Sequence, residues 1–291
     1  MRVPDDLTRS IGSWAGPAGA AWLAALPGLV AALAAEWGLA VGEPFQPSGY
    51  ASLALRATRA GDPCVLKLRF PDEWSRYEGA ALRHYGGGAA VALLAEDERR
   101  AALLLERCDP GSPLAREPDD VAARVVAGLA RELWAPPPDG HPFRSVAGIA
   151  PVWAGEIRAG GAFDPRLAAE ALETLDALVA TAPAPVVLHG DLHAANVLRA
   201  ARRPWLAIDP KPLAGDPAHD LAAVIRDRPA AGLVRRRFAI VCEVTGCDPG
   251  RVRGWALVQS VAGAAWSYAA GDGSSGAEFA AAAALVAPLP H

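Results

Sequence analysis

The spacing of apolar and polar positions changes along the chain, and the first third has the pattern of a β-sheet. Tyr50 to Thr58 and Cys64 to Phe70 alternate or run apolar, as strands do, and turn-forming residues 59–63 join them into a predicted hairpin. A second strand pair is predicted at Val91 to Ala95 and Ala101 to Glu106. The first third is therefore expected to form an antiparallel sheet.

Helical spacing dominates the rest of the chain. Ala15 to Ala35 is almost entirely apolar with large side chains on one face, which predicts a buried helix rather than a membrane span. A helix is predicted from Pro71-Asp72 to about Tyr85, before Gly86 to Gly88. Beyond a breaker cluster at 108–113, further helices are predicted at Asp119 to Trp134, from the N-cap Asp164 to Val179, from about Leu221, from Leu233, and from Pro249 after the N-cap Asp248.

Strands followed by helices predict an α+β fold with two lobes, residues 1–107 and 108–291. A chain of 291 residues is long enough for both lobes. The hinge between them is expected within residues 106–113, where the breaker cluster lies.

Composition narrows the classes of function. The formal charge of −4 excludes a dominant basic surface, so we expect no nucleic-acid partner. The four cysteines show no CxxC spacing and are expected to be reduced thiols. Asp5 and Asp6 precede the apolar segment, where a secretory signal would carry positive charge. These features predict a cytoplasmic protein that does not enter a membrane.

One polar loop between two apolar strands carries oxygen-bearing side chains at a fixed spacing. Asp191 lies five residues before Asn196, and Asp209 lies thirteen residues after Asn196 at the end of the returning strand. Phosphoryl transfer requires a carboxylate for the attacking hydroxyl, and carboxylate or amide oxygens for Mg²⁺. Asp and Asn are also common in ordinary turns. The additional spacing to Asp209 favours the phosphotransferase interpretation.

This loop resembles the catalytic signature of the aminoglycoside phosphotransferase and choline kinase group, which has a protein-kinase-like fold. The resemblance is carried by HGDxHxxN at residues 189–196 and by Ile208-Asp209, and Gly215 to Ala222 is similar to the segment that follows in that group. Residues 103–107, 205–210 and 234–238 are similar to the branch of streptomycin 6-phosphotransferases and hydroxyurea-resistance kinases.

The resemblance implies a role for each matching residue. Asp191 matches the catalytic base, and Asn196 and Asp209 match the Mg²⁺ ligands. Lys67 matches the strand lysine that meets the α- and β-phosphates of ATP, and Glu78 matches its ion-pair partner.

Further nucleotide contacts are implied in the first lobe. Glu106 to Cys108 match the hinge segment whose backbone would bind adenine. Ser48 belongs to the segment 48–52, which stands where the phosphate-covering loop belongs. Glu73 remains an alternative to Glu78 as a functional carboxylate.

Other charged residues near the motif have structural interpretations. His189 is expected to bond to backbone, Asp220 to accept hydrogen bonds from the catalytic loop, and Lys211 to pair with a carboxylate. Asp216 is predicted to be an N-cap, and the run 235–237 of three arginines is typical of a solvated helix face.

The implied function is ATP- and Mg²⁺-dependent phosphorylation of a small hydroxylated molecule by a monomer, with a streptomycin-type aminoglycoside as the first acceptor. The alternatives are the same chemistry on hydroxyurea or another small metabolite, and a kinase-like binding protein without catalysis. A cationic acceptor would be bound by carboxylates of the helical lobe, for which the candidates are Glu156, Glu243, Asp272 and Glu278. The choice between ATP and GTP stays open.

Overall fold

A computed structural model describes residues 2–290, which form two compact units. The first unit ends at Gly111, and the second begins at Ser112.

A five-stranded antiparallel sheet forms the frame of the first unit, in the order β1–β2–β3–β5–β4. Lys67 lies opposite Ala54 on one side and Leu103 on the other, so its strand is central. Ala60 and Gly61 have φ angles of 52° and 93°, as a type I′ hairpin turn requires, which confirms the predicted hairpin. The strands are β1 Leu39–Pro44, β2 Ser52–Arg59, β3 Asp62–Arg69, β4 Leu93–Asp97 and β5 Ala102–Glu106.

Two helices precede this sheet, α1 (Asp5–Trp14) and α2 (Gly16–Trp37). Leu7 and Ile11 of α1 and Leu26 and Leu33 of α2 are fully buried in one core with leucines of β2 and β3. The predicted apolar helix is thus confirmed as α2. Among the described residues, α2 is the one helix whose length and apolar composition would suffice to cross a membrane.

The helix after β3 begins later than the sequence predicts. α3 is Glu78–Tyr85, whereas Pro71-Asp72 was expected to open it. The Asp72 carboxylate accepts hydrogen bonds from the backbone N–H groups of Trp74, at 2.7 Å, and Ser75, at 2.8 Å. These bonds hold residues 73–77 in turns, because a side-chain acceptor competes with the helical pattern. The predicted stop is confirmed by Gly86, whose φ is 59°.

Helices form most of the second unit, and α9 packs against α5, α6, α7 and α10. Trp255 of α9 is 1% exposed at the centre of this packing. The predicted N-caps are confirmed, since Asp164 and Asp248 each accept a backbone N–H at 2.9 Å. The helices are α4 Asp119–Leu133, α5 Val146–Ala159, α6 Pro165–Ala180, α7 Ala218–Arg226, α8 Ala231–Thr245, α9 Pro249–Ala269 and α10 Gly273–Val286.

Short strands of the second unit hold the loop that carries Asp191. A three-stranded sheet has the order β6–β10–β7, with β10 parallel to β6 and antiparallel to β7. A separate antiparallel hairpin pairs β8 with β9. The strands are β6 Arg144–Ser145, β7 Val186–Leu188, β8 Val197–Arg199, β9 Trp205–Ala207 and β10 Leu213–Gly215.

Arg237 corrects the expectation of a solvated arginine face on α8. Its side chain is buried, and its Nε lies 3.0 Å from both carboxylate oxygens of Asp119 at the start of α4. It also donates to the backbone carbonyl of Asp227. Arg236 is exposed and pairs with Asp120, as a surface arginine does. The ion pair of Arg237 therefore joins α4 to α8 inside the unit.

Gly79 is a position where a methyl group should destabilise the first unit. A Cβ atom there would lie 2.1 Å from Oε1 of Glu96, and Arg83 and Arg69 hold that carboxylate. Gly79→Ala is expected to lower the free energy of unfolding by about 1–3 kcal/mol, the usual effect of overpacking. The measurement is urea unfolding followed by circular dichroism.

Gly128→Ala is the matched control, since Gly128 lies inside α4 with open space around its Cβ position. There the substitution should stabilise the protein by up to about 1 kcal/mol, because alanine favours a helix interior. Equal effects at the two positions would contradict the close contact at Gly79.

Candidate active site

The carboxylate of Asp220, in the first turn of α7, holds the loop between β7 and β8 by hydrogen bonds to its backbone. Asp220 accepts hydrogen bonds from the backbone N–H groups of His189, at 2.9 Å, and Gly190, at 2.7 Å, and from Nε1 of Trp134, at 3.1 Å. Burial raises the pKa of Asp220 to about 6, although the hydrogen bonds from Gly190 and His189 act in the opposite direction. The predicted role of Asp220 in holding the loop is confirmed.

Gly190 allows two backbone segments to approach each other directly. Its φ is 77°, and a Cβ atom there would lie 2.0 Å from the carbonyl oxygen of Lys211. The backbone N–H of Lys211 in turn donates to the carbonyl of His189 at 2.8 Å. Glycine is required here because no other side chain fits both the φ angle and the space.

His189 connects the loop to the segment that returns toward it. Its Nδ1 accepts the backbone N–H of Asp191 at 3.3 Å, and its Nε2 lies 3.0 Å from the carbonyl oxygen of Ile208. The ring is therefore neutral with the proton on Nε2, since a carbonyl can only accept. Burial lowers its pKa to about 4. This confirms the expected backbone role of His189.

The Asp191 carboxylate lies among three groups that favour its charged form. Oδ2 of Asp191 is 2.5 Å from Nζ of Lys211 and 3.2 Å from Nδ2 of Asn196. Nε2 of His193 is 3.6 Å from Oδ1 of Asp191. Burial alone would raise the pKa of Asp191, but the charges of Lys211 and His193 outweigh burial and hold it well below its usual range. Asp191 is thus an ionised acceptor at neutral pH, and the expected pairing of Lys211 is confirmed.

Asn196 and Asp209 lie at the same end of the β8–β9 hairpin. Val197 pairs with Ala207, and the backbone N–H of Ile208 donates to the carbonyl of Asn196 at 2.9 Å. Asp209 has a φ of 59°, an uncommon conformation outside glycine that is often found at functional sites. Asn196 therefore lies opposite Ile208, and Asp209 is the next residue of the returning segment.

These two side chains fit a hard cation. The Nδ2 of Asn196 donates to the carbonyl and carboxylate oxygens of Asp191, which leaves Oδ1 of Asn196 as the atom suited to a metal. Mg²⁺ is commonly held by one or two carboxylates together with phosphate oxygens of a substrate. Residues 2–290 contain no group of three or more His, Cys, Asp or Glu arranged to hold a metal. The donor set here is instead one carboxylate and one amide.

Lys67 and Glu78 form a buried ion pair in the first unit. Nζ of Lys67 is 2.7 Å from Oε1 of Glu78, and their side chains are 8% and 0% exposed. Nε of Arg69, two residues along the same strand, is 3.9 Å from the other carboxylate oxygen of Glu78. The structure thus places the carboxylate of Glu78 against Lys67, as the resemblance implied.

Ser48, Glu106 and Cys108, the remaining predicted nucleotide contacts, already have bonds of their own or are buried. The backbone N–H of Ser48 donates to Asp6 at 2.7 Å. The backbone N–H and the carboxylate of Glu106, at the end of β5, both bond to the backbone of Ala92. Cys108 is 9% exposed. Contact with a nucleotide stays a prediction for all three, and it cannot use the N–H of Ser48 or of Glu106.

A cavity of about 280 Å³ adjoins this loop at Ala194. Its wall combines apolar side chains of α4 and α7 with the acidic residues Glu117, Asp119 and Asp227 and with Arg228 and Arg237. Sequence reasoning missed these acidic residues, because each resembles an ordinary surface or helix-end carboxylate.

The four carboxylates expected to bind a cationic acceptor lie elsewhere. Glu243 pairs with Arg124 at the surface, and Asp272 caps α10. Glu156, on α5, is half-buried, and burial raises its pKa. Glu278 is exposed and close enough to Arg226 to favour its charge. None of the four lines the cavity at Ala194.

Comparison with known proteins assigns this chain to a family. The family model "Aminoglycoside/hydroxyurea antibiotic resistance kinase" matches residues 39–271. The chain belongs to this kinase family.

Relatives agree with this family assignment, and a solved structure shows the fold. Streptomycin 6-kinase of Streptomyces glaucescens is 38% identical over 94% of this chain and 93% of its own length. Hydroxyurea phosphotransferase of Kitasatospora aureofaciens is also 38% identical, over 94% of this chain and 82% of its own. Aminoglycoside phosphotransferase APH(4)-Ia, in a complex with ADP and hygromycin B, aligns with a TM-score of 0.64 at 18% identity, over 88% of this chain and 97% of its own. The predicted α+β kinase-like fold is confirmed.

Lys67 and Glu78 of this kinase should show a large coupling energy in the free energy of unfolding. Lys67→Met removes the partner at 2.7 Å from the buried Glu78 charge, and a loss of about 3–5 kcal/mol is expected for breaking such a pair. Adding Glu78→Gln should recover much of this loss, because it removes the uncompensated charge. A double-mutant cycle measured by urea unfolding gives the coupling energy.

The exposed pair Arg124–Glu243 is the matched control, with side chains 51% and 65% exposed. The cycle of Arg124→Met with Glu243→Gln should give a coupling energy of at most about 1 kcal/mol. A Lys67–Glu78 coupling as small as this would contradict a buried ion pair in solution.

Proposed function

We propose that the protein is an ATP-dependent kinase that phosphorylates a hydroxyl of streptomycin. The observation that carries this proposal is the arrangement at the mouth of the β8–β9 hairpin. An ionised Asp191 lies there beside Asn196, and Asn196 bonds to Ile208, the residue directly before Asp209, in a member of an antibiotic resistance kinase family. In-line phosphoryl transfer needs little more than such positioning and charge stabilisation.

In the proposed reaction, Asp191 accepts a hydrogen bond from the acceptor hydroxyl and orients it. The hydroxyl oxygen forms a bond to the γ-phosphorus as the bond to the β–γ bridging oxygen breaks, and ADP leaves. The hydroxyl proton passes to the Asp191 carboxylate. Because Lys211 keeps the pKa of Asp191 low, this proton transfer comes late, after most of the P–O bond making.

Asn196 and Asp209 are proposed to hold Mg²⁺ through Oδ1 and the carboxylate, and the cation would supply charge stabilisation to the phosphates. Lys67 is proposed to meet the α- and β-phosphates while Glu78 fixes its side chain. Ser48 and the segment 106–108 are proposed to contact the phosphates and the adenine. The nucleotide would then belong to residues 1–107, and the catalytic loop to residues 108–291.

Streptomycin is favoured as the acceptor by the named relatives. Streptomycin 6-kinases of two Streptomyces species are 37–38% identical over more than nine-tenths of this chain, which favours the 6-hydroxyl. The cavity at Ala194 supports a hydroxylated, cationic acceptor, since three acidic side chains, Glu117, Asp119 and Asp227, lie on its wall. Phosphorylation of hydroxyurea is a second candidate, because the hydroxyurea phosphotransferase is equally similar.

Localisation and association are part of the same proposal. We infer a cytoplasmic monomer that binds neither membrane nor nucleic acid. The net charge of −4 supports this for nucleic acid. The buried face of α2, with Leu26, Val30 and Leu33 in the core of the first unit, supports it for membranes.

Asp191→Asn should nearly abolish transfer while the protein stays folded. The amide has the same shape but cannot accept the proton, so kcat should fall by about 10²–10⁴-fold, the usual contribution of a general base. The measurement is ADP release with saturating ATP and acceptor, together with the melting temperature. Asp176→Asn, at an exposed position on α6, is the matched control and should keep full activity. Full turnover by the Asp191 variant would exclude Asp191 as the base.

The acceptor is tested by incubating the protein with ATP and Mg²⁺ and with streptomycin, hydroxyurea or kanamycin. Streptomycin should release ADP and gain the mass of one phosphoryl group, and phosphorus-coupled NMR should place it on the 6-hydroxyl. The rate at low streptomycin concentration should fall at high salt, since salt screens the attraction between a cation and the acidic side chains of the cavity. If hydroxyurea alone gives a phosphorylated product, the second candidate is correct. If none of these three compounds is phosphorylated, the acceptor is a different molecule.

Asp227→Asn probes the contribution of the cavity to acceptor binding. Its KM for streptomycin should rise by roughly 3- to 10-fold, the usual effect of losing one hydrogen bond, with the KM for ATP unchanged. Glu243→Gln is the control, since Glu243 lies outside the cavity. Equal KM values in both variants would place the acceptor elsewhere.

A further inference from the structure

The segment 45–51 joins β1 to β2 and contains Ser48 of the proposed phosphate-covering loop; we refer to this segment as the phosphate loop. Its two ends are closed by backbone hydrogen bonds from Phe45 to Ala54, at 2.9 Å, and from Phe70 to Ala51, at 2.8 Å. Gly49 is the one glycine in this segment. A loop that must cover phosphates loses affinity for them if it has to be ordered on binding.

Helix α1 contacts the phosphate loop at three positions spaced one turn apart. Oδ2 of Asp6 accepts the backbone N–H of Ser48 at 2.7 Å. Oγ of Ser10 donates to the carbonyl of Tyr50 at 2.7 Å. The ring of Trp14 stacks on Tyr50, with ring centroids 5.7 Å apart and planes within 5°. Residues at i, i+4 and i+8 lie on one helix face, so one face of α1 is used for the loop.

The position of α1 is itself fixed by the core of the first unit. Leu7 and Ile11 are fully buried among leucines of α2, β2 and β3. Trp14 also packs edge-on against Phe70, just after β3, at 5.2 Å between centroids. A helix held in this way can transmit the rigidity of the sheet to the loop. The hydrogen bond from the Ser48 backbone lowers the pKa of Asp6, so this carboxylate is charged at neutral pH.

We propose that α1 is a positioning element for the nucleotide, and that Asp6, Ser10 and Trp14 hold the phosphate loop in its ATP-binding conformation. This inference rests on the proposed function. It assigns a role to a helix that precedes residue 39, where the match to the family model begins. A loop ordered in advance lowers the KM for ATP without changing the chemical step.

The main test compares Asp6→Ala with Asp5→Ala. Both substitutions remove one carboxylate from the first turn of α1, so they change the net charge and the helix-dipole interaction equally. Asp5 bonds to Arg2 and not to the phosphate loop. Asp6→Ala is expected to raise the KM for ATP by about 10-fold, the loss of one charged hydrogen bond. The kcat at saturating ATP and the KM for the acceptor should stay unchanged, and Asp5→Ala should match the parent protein.

Two further variants separate the other contacts. Ser10→Ala should raise the KM for ATP by a few-fold, whereas Ser13→Ala should not, because Oγ of Ser13 donates only to the carbonyl of Ser10 within α1. Asp6→Asn keeps an acceptor oxygen and should recover part of the ATP affinity lost in Asp6→Ala.

Binding of a non-hydrolysable ATP analogue, measured by calorimetry on the full chain, distinguishes the possible failures. If the parent protein binds the analogue and Asp6→Ala binds it equally well, the role of α1 is wrong and the kinase proposal stands. If Asp6→Ala lowers only the melting temperature, α1 stabilises the fold without positioning the loop, and the inference is overturned. If the parent protein binds no nucleotide, the proposed function itself fails. Weaker analogue binding by Asp6→Ala alone, with faster amide exchange in residues 45–51, supports the inference.

Discussion

The carboxylate of Asp220 accepts two consecutive backbone N–H groups, from His189 and Gly190, and a third donor from Trp134. Without these bonds the turn at Gly190 would leave buried donors without partners, which is costly in a protein interior. The same turn brings the backbone of Lys211 against His189 and so brings its side chain to Asp191. The geometry of the candidate site therefore depends on one buried acceptor at the start of α7.

Each unit pairs a lysine of the candidate site with a carboxylate, and this pairing orders both side chains. Glu78 holds Lys67 on the central strand of the first unit. Lys211 holds Asp191 in the second unit and keeps it ionised. Each pair fixes a long or mobile side chain in one rotamer before any substrate binds, so less ordering is required at the moment of binding.

In the first unit, side chains also order a backbone segment, the phosphate loop. A phosphate loop with one glycine is anchored to α1 by a carboxylate, a hydroxyl and an aromatic ring. Glycine-rich loops approach phosphates through their lack of side chains, at the cost of conformational freedom. Here side chains outside the loop reduce that freedom. As a consequence, the backbone N–H of Ser48 is not available to a phosphate.

The sequence by itself determined the features that depend on neighbouring residues. The apolar pattern of β2 and β3 and the turn residues between them predicted their hairpin, because period and turn chemistry are local. The spacing of Asp191, Asn196 and Asp209 indicated the candidate site. The predicted start of α3 was wrong because the Asp72 carboxylate accepts the backbone N–H groups of Trp74 and Ser75. Apolar spacing does not reveal this competition with the helical hydrogen bonds. Only the tertiary structure decided which charges meet where no motif marks them. Arg237 and Asp119 are 118 residues apart, and Asp6 and Ser48 are 42 apart. Such contacts arise from the packing of whole helices, and no local pattern in the sequence contains them.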